Sequence, residues 1–516
     1  MKILTAAEMR EVDRKTAERG IPSLILMENA AHRVVEFLVE RFSPLDRHRI
    51  VVFCGKGNNG GDGLAIARQL HTRFRWKSLD ILLACQPEEL TGDAAANLLM
   101  LEVSGATYGF EITPPMQAAT LIVDALLGSG LTGPARGKAL EWIRAINAGF
   151  PEAKVVCVDA PSGMPSDSGE PTGEFVRANA TVTFTAPHYC HALAPNCNRL
   201  GELRVSAIGS PASLYADIPV ELIEPSRFRA LFAPRNPDGN KGLYGHVLVL
   251  AGSRGKTGAA AMAGMAALHA GAGLVTVASP ASAIPVIAGY APELMTEFLP
   301  ETNDGSVSAQ ALEELKQLIA RRTVLAMGPG MGTHEETAKV VRDLFATVDQ
   351  PVVADADALN ILSAGWVDPG AHLRVLTPHP GEMARLTGTT VPEVQAWRVE
   401  FARGFATKRQ VILVLKGERT LLAFPDGTVW VNPTGSPSMA TGGTGDVLTG
   451  LISGMLAQFP KTPREAVAAA VWLHGRAGQL GAAQIGEQAF VATDLLRMLP
   501  AAIHEVQSSE VQSSND

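Results

Sequence analysis

Apolar runs of strand length alternate with stretches of helix length along almost the whole chain. In the first half the runs are Ile50–Cys54, Leu79–Cys85, Leu121–Asp124, Lys154–Asp159 and Thr181–Thr185, separated by helical patterns such as Leu64–Phe74 and Lys138–Ala148. Such alternation leaves few solutions: strands joined through helices run parallel, and the helices cover the sheet. The runs are continuously apolar, as burial on both faces requires. Ahead of them, about Thr5–Phe42 reads as two helices broken at Pro22. The second half restarts the pattern with His246–Ala251, helix Gly258–Ala270, Leu274–Ser279, Thr323–Met327, Pro351–Ala354, Leu373–Thr377, Val411–Lys416, Thr420–Phe424 and Thr428–Asn432. The last two runs flank Pro425-Asp426-Gly427, a hairpin signal. Between the halves, Pro211, Pro219, Pro225, Pro234 and Pro237 interrupt all periodicity and place a boundary within 212–227. At 516 residues the chain is long enough for about two to four domains.

Composition narrows the partners. The formal charge is −8 and no long Lys/Arg run occurs, which argues against binding nucleic acid through its phosphates. No uninterrupted apolar run reaches the ~18–20 residues of a membrane span. The richest, around Gly258–Gly273, is an Ala/Gly/Met helix containing His269. The opening MKILTAAEMREVDRKTAERG has no apolar segment of the signal-peptide kind. The five cysteines (Cys54, Cys85, Cys157, Cys190, Cys197) form no CxxC pair. Cys54 and Cys157 sit in strand-like runs and read as small core residues. A cytoplasmic location is expected, with small-molecule ligands, no nucleic acid, no membrane, and a homo-oligomeric state.

Two glycine-rich loops carry the first chemistry. Gly55-Lys56-Gly57-Asn58-Asn59-Gly60-Gly61-Asp62-Gly63 follows the run Ile50–Cys54, and Ala440-Thr441-Gly442-Gly443-Thr444-Gly445-Asp446 opens a helix-like stretch. Backbone amides at such a turn bind phosphate. An Asp among the glycines would repel it, so the acid reads as a base or a cation ligand. The first loop contains GxGxxG, but the next strand ends Leu83-Ala84-Cys85-Gln86 without the acid that holds a ribose, which speaks against a dinucleotide Rossmann site. Two more strand ends run into Ala125-Leu126-Leu127-Gly128-Ser129-Gly130-Leu131-Thr132-Gly133-Pro134 and Ala160-Pro161-Ser162-Gly163. In a parallel sheet these loops meet at one edge. Asn59, Asp124, Asp159 and Ser162 would then offer oxygen ligands suited to a hard cation.

The Asn-Asn-Gly-Gly-Asp run, VDALLGSGLTGP and the DxPSG turn together resemble the NAD(P)H-hydrate epimerase domain of the bifunctional NAD(P)H-hydrate repair family. The resemblance implies substrate contacts along Asn58, Asn59, Gly60, Gly61 and Asp62 and along Gly128, Ser129, Gly130, Leu131, Thr132, Gly133 and Pro134. It implies a potassium ion held by Asn59, Asp124 and Ser162, and Asp159 at the reacting ring. Two positions depart from the family pattern: Pro165 stands where an Asp is usual, with Asp167 keeping the second acid, and His188 stands where Lys is frequent. The neighbouring His188, Cys190, His191 and Cys197 match no zinc spacing and read as an ordinary loop.

In the second half Gly255-Lys256-Thr257 is not a P-loop, because Leu250 occupies the position of its first glycine. Thr441–Gly450 is the stronger signal: its amides can stabilise a transferring phosphoryl group, and Asp446 can take a proton from the attacking hydroxyl. Further strand ends lead into Gly328-Pro329-Gly330-Met331-Gly332, Asp355-Ala356-Asp357-Ala358-Leu359-Asn360, Thr377-Pro378-His379-Pro380-Gly381-Glu382 and Lys416-Gly417-Glu418-Arg419-Thr420. This set resembles ADP-dependent NAD(P)H-hydrate dehydratase, the second domain of the same family. It implies ADP contacts at Lys416, Gly417, Glu418, Arg419, Thr420 and Gly445, and hydrated-cofactor contacts at Ala260, Gly332, His379 and Asp446, with Mg²⁺ accompanying the nucleotide. The expected fold is α/β in two domains: an N-terminal Rossmann-like three-layer αβα sandwich over 1–212, a linker over 213–227, and a C-terminal ribokinase-like αβα domain over 228–502. A polar tail over 503–516 is expected to be disordered. The implied work is interconversion of the C6 epimers of hydrated NADH or NADPH by the first domain, and ADP-dependent dehydration of one epimer by the second. The rival is a small-molecule kinase of the vitamin type joined to a non-catalytic nucleotide-binding module.

Overall fold

The computed structural model describes residues 1–508. It divides into two compact units, Met1–Glu221 and Leu222 onward. In the first unit β1 (Arg49–Cys54), β2 (Ser78–Leu83), β3 (Leu121–Ala125), β4 (Lys154–Val158), β5 (Ala180–Phe184) and β6 (Glu202–Ser206) form one all-parallel sheet in the order β2-β1-β3-β4-β5-β6. Alternate residues of β1 enter opposite cores. Ile50, Val52 and Cys54 pack with Val34, Leu38, Leu64 and Leu98, whereas Val51 and Phe53 pack with Trp142, Ile143 and Ile146. Helices therefore bury both faces, as the continuous apolar runs imply. The chain order reverses between β1 and β3, and a crevice opens beyond the strand ends at such a switch point.

The two helices expected at the N-terminus are Ala6–Glu18 and Ser23–Phe42, with Pro22 at the break. Thr5 and Glu8 close the first in a reciprocal capping box. The helix expected from Leu64 begins instead at Asn58 and runs to Arg73, so the glycine loop is the helix's own first turn. Gly60 makes this possible: a Cβ there would lie 1.8 Å from the Gly55 carbonyl oxygen.

A three-residue strand, β7 (Val220–Leu222), lies at the junction, and short 3-10 turns at Ala212–Leu214 and Pro225–Arg227 flank it. In the second unit β8 (His246–Leu250), β9 (Leu274–Pro280), β10 (Met295–Leu299), β11 (Val324–Met327), β12 (Val352–Ala354), β13 (Arg374–Leu376), β14 (Ile412–Leu415), β15 (Leu421–Ala423) and β16 (Val429–Val431) run in the order β10-β9-β8-β11-β12-β13-β14-β15-β16. Strands β10 through β14 pair in parallel, and β14-β15-β16 is an antiparallel meander turned at Gly427. Helix Thr257–His269 packs closely on helix Thr444–Gln458. A Cβ at Gly450 would lie 2.1 Å from the Ala263 carbonyl oxygen, which accounts for the Ala/Gly composition of that run.

The tail departs from expectation. Helix Ala492–Ser508 continues through residues assigned to disorder, because Ala502 and Val506 are fully buried and Ile503 packs beside them. The remaining tail residues, 509–516, lie outside the described residues. Among the described residues no helix is long and apolar enough to cross a membrane.

Candidate active sites

The crevice of the first unit is a cavity of about 580 Å³ at the switch point. Asn58, Asn59, Asp62, Gly128, Ser129, Gly130, Leu131, Thr132 and Asp159 all line it, joined by Asp13 and by Thr185 at the end of β5. Gly60, Gly61, Gly133 and Pro134 are not among its walls. The first two serve packing instead, Gly60 against Gly55 and Gly61 against Met27 and Ala94.

Asp159 stands at the centre, with φ at +66°, a conformation rare for a residue with a side chain. Its backbone N–H donates to the Val182 carbonyl (2.8 Å). Its carboxylate accepts from the Ser129 amide (2.8 Å) and the Thr183 hydroxyl (3.2 Å). The glycine-serine loop thus aims the acid as well as lining the crevice. His188, 1% exposed, brings Nε2 to 3.5 Å from the same carboxylate. Burial alone would raise the proton affinity of Asp159, but His188 and the Ser129 amide outweigh it, and the carboxyl is held well below the ordinary range. Burial and the charge of Asp159 push Asp13 the other way, up to about 6. Burial, together with Asp159, Asp13 and Asp93, raises Asp62 as well.

Behind the cavity wall Asp124 is fully buried. It accepts from the Ser162 hydroxyl (2.6 Å) and amide (2.9 Å), and burial raises its proton affinity. Ser162 Oγ also accepts from the Leu127 amide (2.8 Å). Asn59 reaches the adjacent residue, its side chain about 3 Å from where a Gly128 Cβ would stand. Both polar atoms of the Asn59 side chain are buried without a partner. A buried carboxylate, a hydroxyl and an amide oxygen lacking any donor suit a hard cation.

The second site gathers at the ends of β8, β11, β12, β13 and β14. Helix Thr444–Gln458 starts from Gly443, whose φ of +95° lies in the left-handed region that favours glycine. Asp446 lies in the first turn, and burial and the charge of Asp355 push its carboxyl up to about 6, against the pull of Lys416. Lys416 is not free to meet a ligand alone. Its ammonium donates to Asp355 Oδ1 (2.6 Å) and lies 3.9 Å from Glu382, while Asp355 Oδ2 accepts from Thr449 Oγ1 (2.8 Å). The ammonium sits 3.5 Å from where a Gly445 Cβ would be, directly beneath the glycine loop.

His379 caps helix Pro380–Thr387, with Nδ1 accepting from the Gly381 (3.0 Å) and Glu382 (3.3 Å) amides. Nε2 therefore carries the hydrogen, on a ring left half exposed. The Gly332 amide donates to Asp357 Oδ2 (2.8 Å), and Ala260 is fully buried against Gly252. Gly417 and Arg419 turn through positive φ, and the Thr420 hydroxyl donates back to the Gly417 carbonyl (2.8 Å), which closes the Lys416–Thr420 segment on itself. His474, to which sequence reasoning assigned no role, donates from Nε2 to the Thr444 carbonyl (2.9 Å) and braces the helix start.

The residues that went unassigned differ in what could have revealed them. His188 and Asp355 follow strand ends, the position that marked the others. Asp13 lies in an ordinary amphipathic helix, and only the tertiary structure brings it to the cavity.

Comparison with known proteins bears on the whole length. Residues 23–190 match the family described as YjeF-related protein N-terminus, and residues 247–501 match that described as NAD(P)H-hydrate dehydratase. The bifunctional NAD(P)H-hydrate repair enzyme Nnr of Moorella thermoacetica is 43% identical, covering 98% of this chain and 97% of its own. Those of Coxiella burnetii and Escherichia coli are 37% and 32% identical, covering 96% and 97% of this chain and 98% and 93% of theirs. Among solved structures, an ADP/ATP-dependent NAD(P)H-hydrate dehydratase from Bacillus subtilis, co-crystallized with ATP/Mg²⁺, is 36% identical. It covers 56% of this chain and 99% of its own, with a TM-score of 0.49. With relatives this similar along both halves in the same order, the chain belongs to the bifunctional NAD(P)H-hydrate repair enzyme family.

Proposed function

We propose that this chain repairs hydrated NADH and NADPH, the first unit interconverting the C6 epimers and the second dehydrating one of them at the expense of ADP. The observation that carries the reading is common to both units: an amide-lined glycine turn stands beside one acid with a displaced proton affinity, lowered at Asp159 and raised at Asp446.

In the first unit the ring nitrogen lone pair expels the C6 hydroxyl, and water returns to either face. Asp159, charged and fixed by the Ser129 amide, is placed to move the proton that each half-step requires. Asn59, Asp124 and Ser162 would hold a potassium ion, which when bound supplies positive charge near the anionic groups of the coenzyme. In the second unit Asp446 takes the proton of the C6 hydroxyl as it attacks the β-phosphate of ADP. The Gly443–Gly445 amides and the Lys416 ammonium beneath them stabilise the charge that develops. Phosphate then leaves from C6 as the ring nitrogen forms a C=N bond, a proton leaves C5 to solvent to restore the C5=C6 double bond, and AMP and NAD(P)H result. Mg²⁺ would accompany the nucleotide phosphates into this site. The five cysteines are thiols rather than disulfides, which fits a reducing cytoplasm.

The test is incubation with a mixture of both hydrate epimers, with and without ADP. Epimer exchange is expected in both cases, and restored NAD(P)H absorbance with release of AMP and phosphate only with ADP. A stable phosphorylated product would identify a kinase instead.

A further inference from the structure

We propose that His188 is the proton-holding partner of Asp159: its imidazole supplies, through that carboxylate, the proton that leaves with the C6 hydroxyl, and takes it back when water returns. The inference rests on the epimerase reading of the first unit.

His188 Nδ1 lies 2.9 Å from the Leu4 carbonyl oxygen, which can only accept, so Nδ1 carries a hydrogen. The opposite nitrogen, Nε2, then faces Asp159 Oδ1 at 3.5 Å. Two bare acceptors would repel there, so one proton resides between the carboxylate and Nε2. The ring has little freedom to turn away. It is 1% exposed, the His188 backbone N–H donates to His191 Nδ1 (2.9 Å), and the His191 ring packs 5.6 Å from it, centroid to centroid. Asp159 is fixed from its other side by Ser129 and Thr183. Asp159 lines the cavity and His188 does not, so the histidine acts only through the acid and is a positioning residue.

The surrounding charges favour this placement of the proton. His188 faces Asp159 and Asp167, and His191 from its own turn; burial and the charge of His188 push His191 down to about 3, so it stays neutral. Asp159 faces Asp13 from helix Ala6–Glu18 and Asp62 from helix Asn58–Arg73. Burial opposes the charge on His188, but Asp159 outweighs burial and raises the proton affinity of the imidazole. The step balances. The C6–O bond breaks as the ring nitrogen forms a C=N bond, the Nε2 proton passes through Asp159 to the departing oxygen, and water is released. On return the C6–O bond re-forms from water on either face, and the surplus proton travels back to Nε2. A lysine can fill the same office, with a higher proton affinity. That fits His188 standing where the family resemblance led us to expect Lys.

The experiment follows epimer exchange of the full chain without ADP, from pH 6 to pH 10, in the natural protein, His188→Gln, His188→Lys and Asp159→Asn. The natural protein should lose rate as pH rises through the titration of the imidazole. His188→Gln should lose kcat by about 100-fold, with KM little changed, and lose that alkaline limb. His188→Lys should recover most of the rate, with the limb moved to higher pH. The inference is overturned if His188→Gln keeps the natural rate and limb, or if the lysine variant is as slow as the glutamine variant. Asp159→Asn separates the two levels. If it leaves exchange intact, the epimerase reading of this cavity fails. If it abolishes exchange while His188→Gln does not, only the role of His188 fails.

Discussion

Asp446→Asn should remove the dehydratase activity and make the second unit more stable. The carboxyl is raised from 3.8 to about 6 by burial and by Asp355, so at neutral pH the protein holds a charge that its surroundings disfavour. At 1.36 kcal/mol per pKa unit that displacement corresponds to ~3 kcal/mol. Asp446 is only partly buried, and solvent screening reduces the figure to about 1–2 kcal/mol. Asn has the shape of the neutral acid and carries no such cost. For a unit of this size the gain is a rise of roughly 2–6 °C in Tm at pH 7.5. The sign with pH is fixed. A group raised on folding contributes its full stability below the lower value and loses it as pH climbs through the higher one. The advantage of the variant should therefore be absent below about pH 3, grow between about pH 4 and about pH 6 and level off above about pH 7. Thermal melts of both proteins across that range, beside an ADP-dependent assay of NAD(P)H recovery, supply the two readouts. In the natural protein kcat/KM should rise with pH through the same midpoint, since the base must be ionised. A variant that melts lower than the natural protein at pH 7.5, or whose advantage does not depend on pH, would refute the reasoning.

Other outcomes follow from single contacts. Gly60→Ala places a Cβ 1.8 Å from the Gly55 carbonyl oxygen, so it should cost about 3 kcal/mol or more and abolish epimer exchange, read by melting temperature and by chiral separation of the hydrates. Lys416→Met strands the buried Asp355 carboxylate. The expected loss is ~3–5 kcal/mol, and adding Asp355→Asn should return part of it in a double-mutant cycle. Replacing potassium with sodium should slow epimer exchange several-fold while leaving the ADP-dependent step unaffected, and Asn59→Ala should abolish that ion preference. An equal rate in both salts would remove the cation from the first site.

The loops that reach the crevices were legible because they follow strand ends, and strand ends are visible in local apolar periodicity. The Gly55–Gly63 turn, Gly128–Thr132, Asp159 and Lys416 all stand where parallel strands stop, whereas the Gly442–Asp446 turn was legible as the glycine-rich opening of a helix. Less was legible where a short-range pattern was ambiguous. The helix at Asn58 starts six residues ahead of its apolar pattern, because its opening turn is built of Asn and Gly, which are poor helix formers held there by the close approach to Gly55. The tail from 503 looked too polar to fold, yet Ala502 and Val506, one helical turn apart, anchor it to the core.

Taken alone, the order of residues determined the class of fold, the division into two units and the turns that would bear chemistry, since each is set by spacing within a few residues. Which acid meets which base was decided only by the tertiary structure. His188 meets Asp159, Lys416 meets Asp355 across 61 positions, and Asp13 reaches a cavity built by other elements. Those meetings depend on sheet order and on which face of a helix turns inward. They set how each group is desolvated and which charge stands beside it, and so where its proton resides.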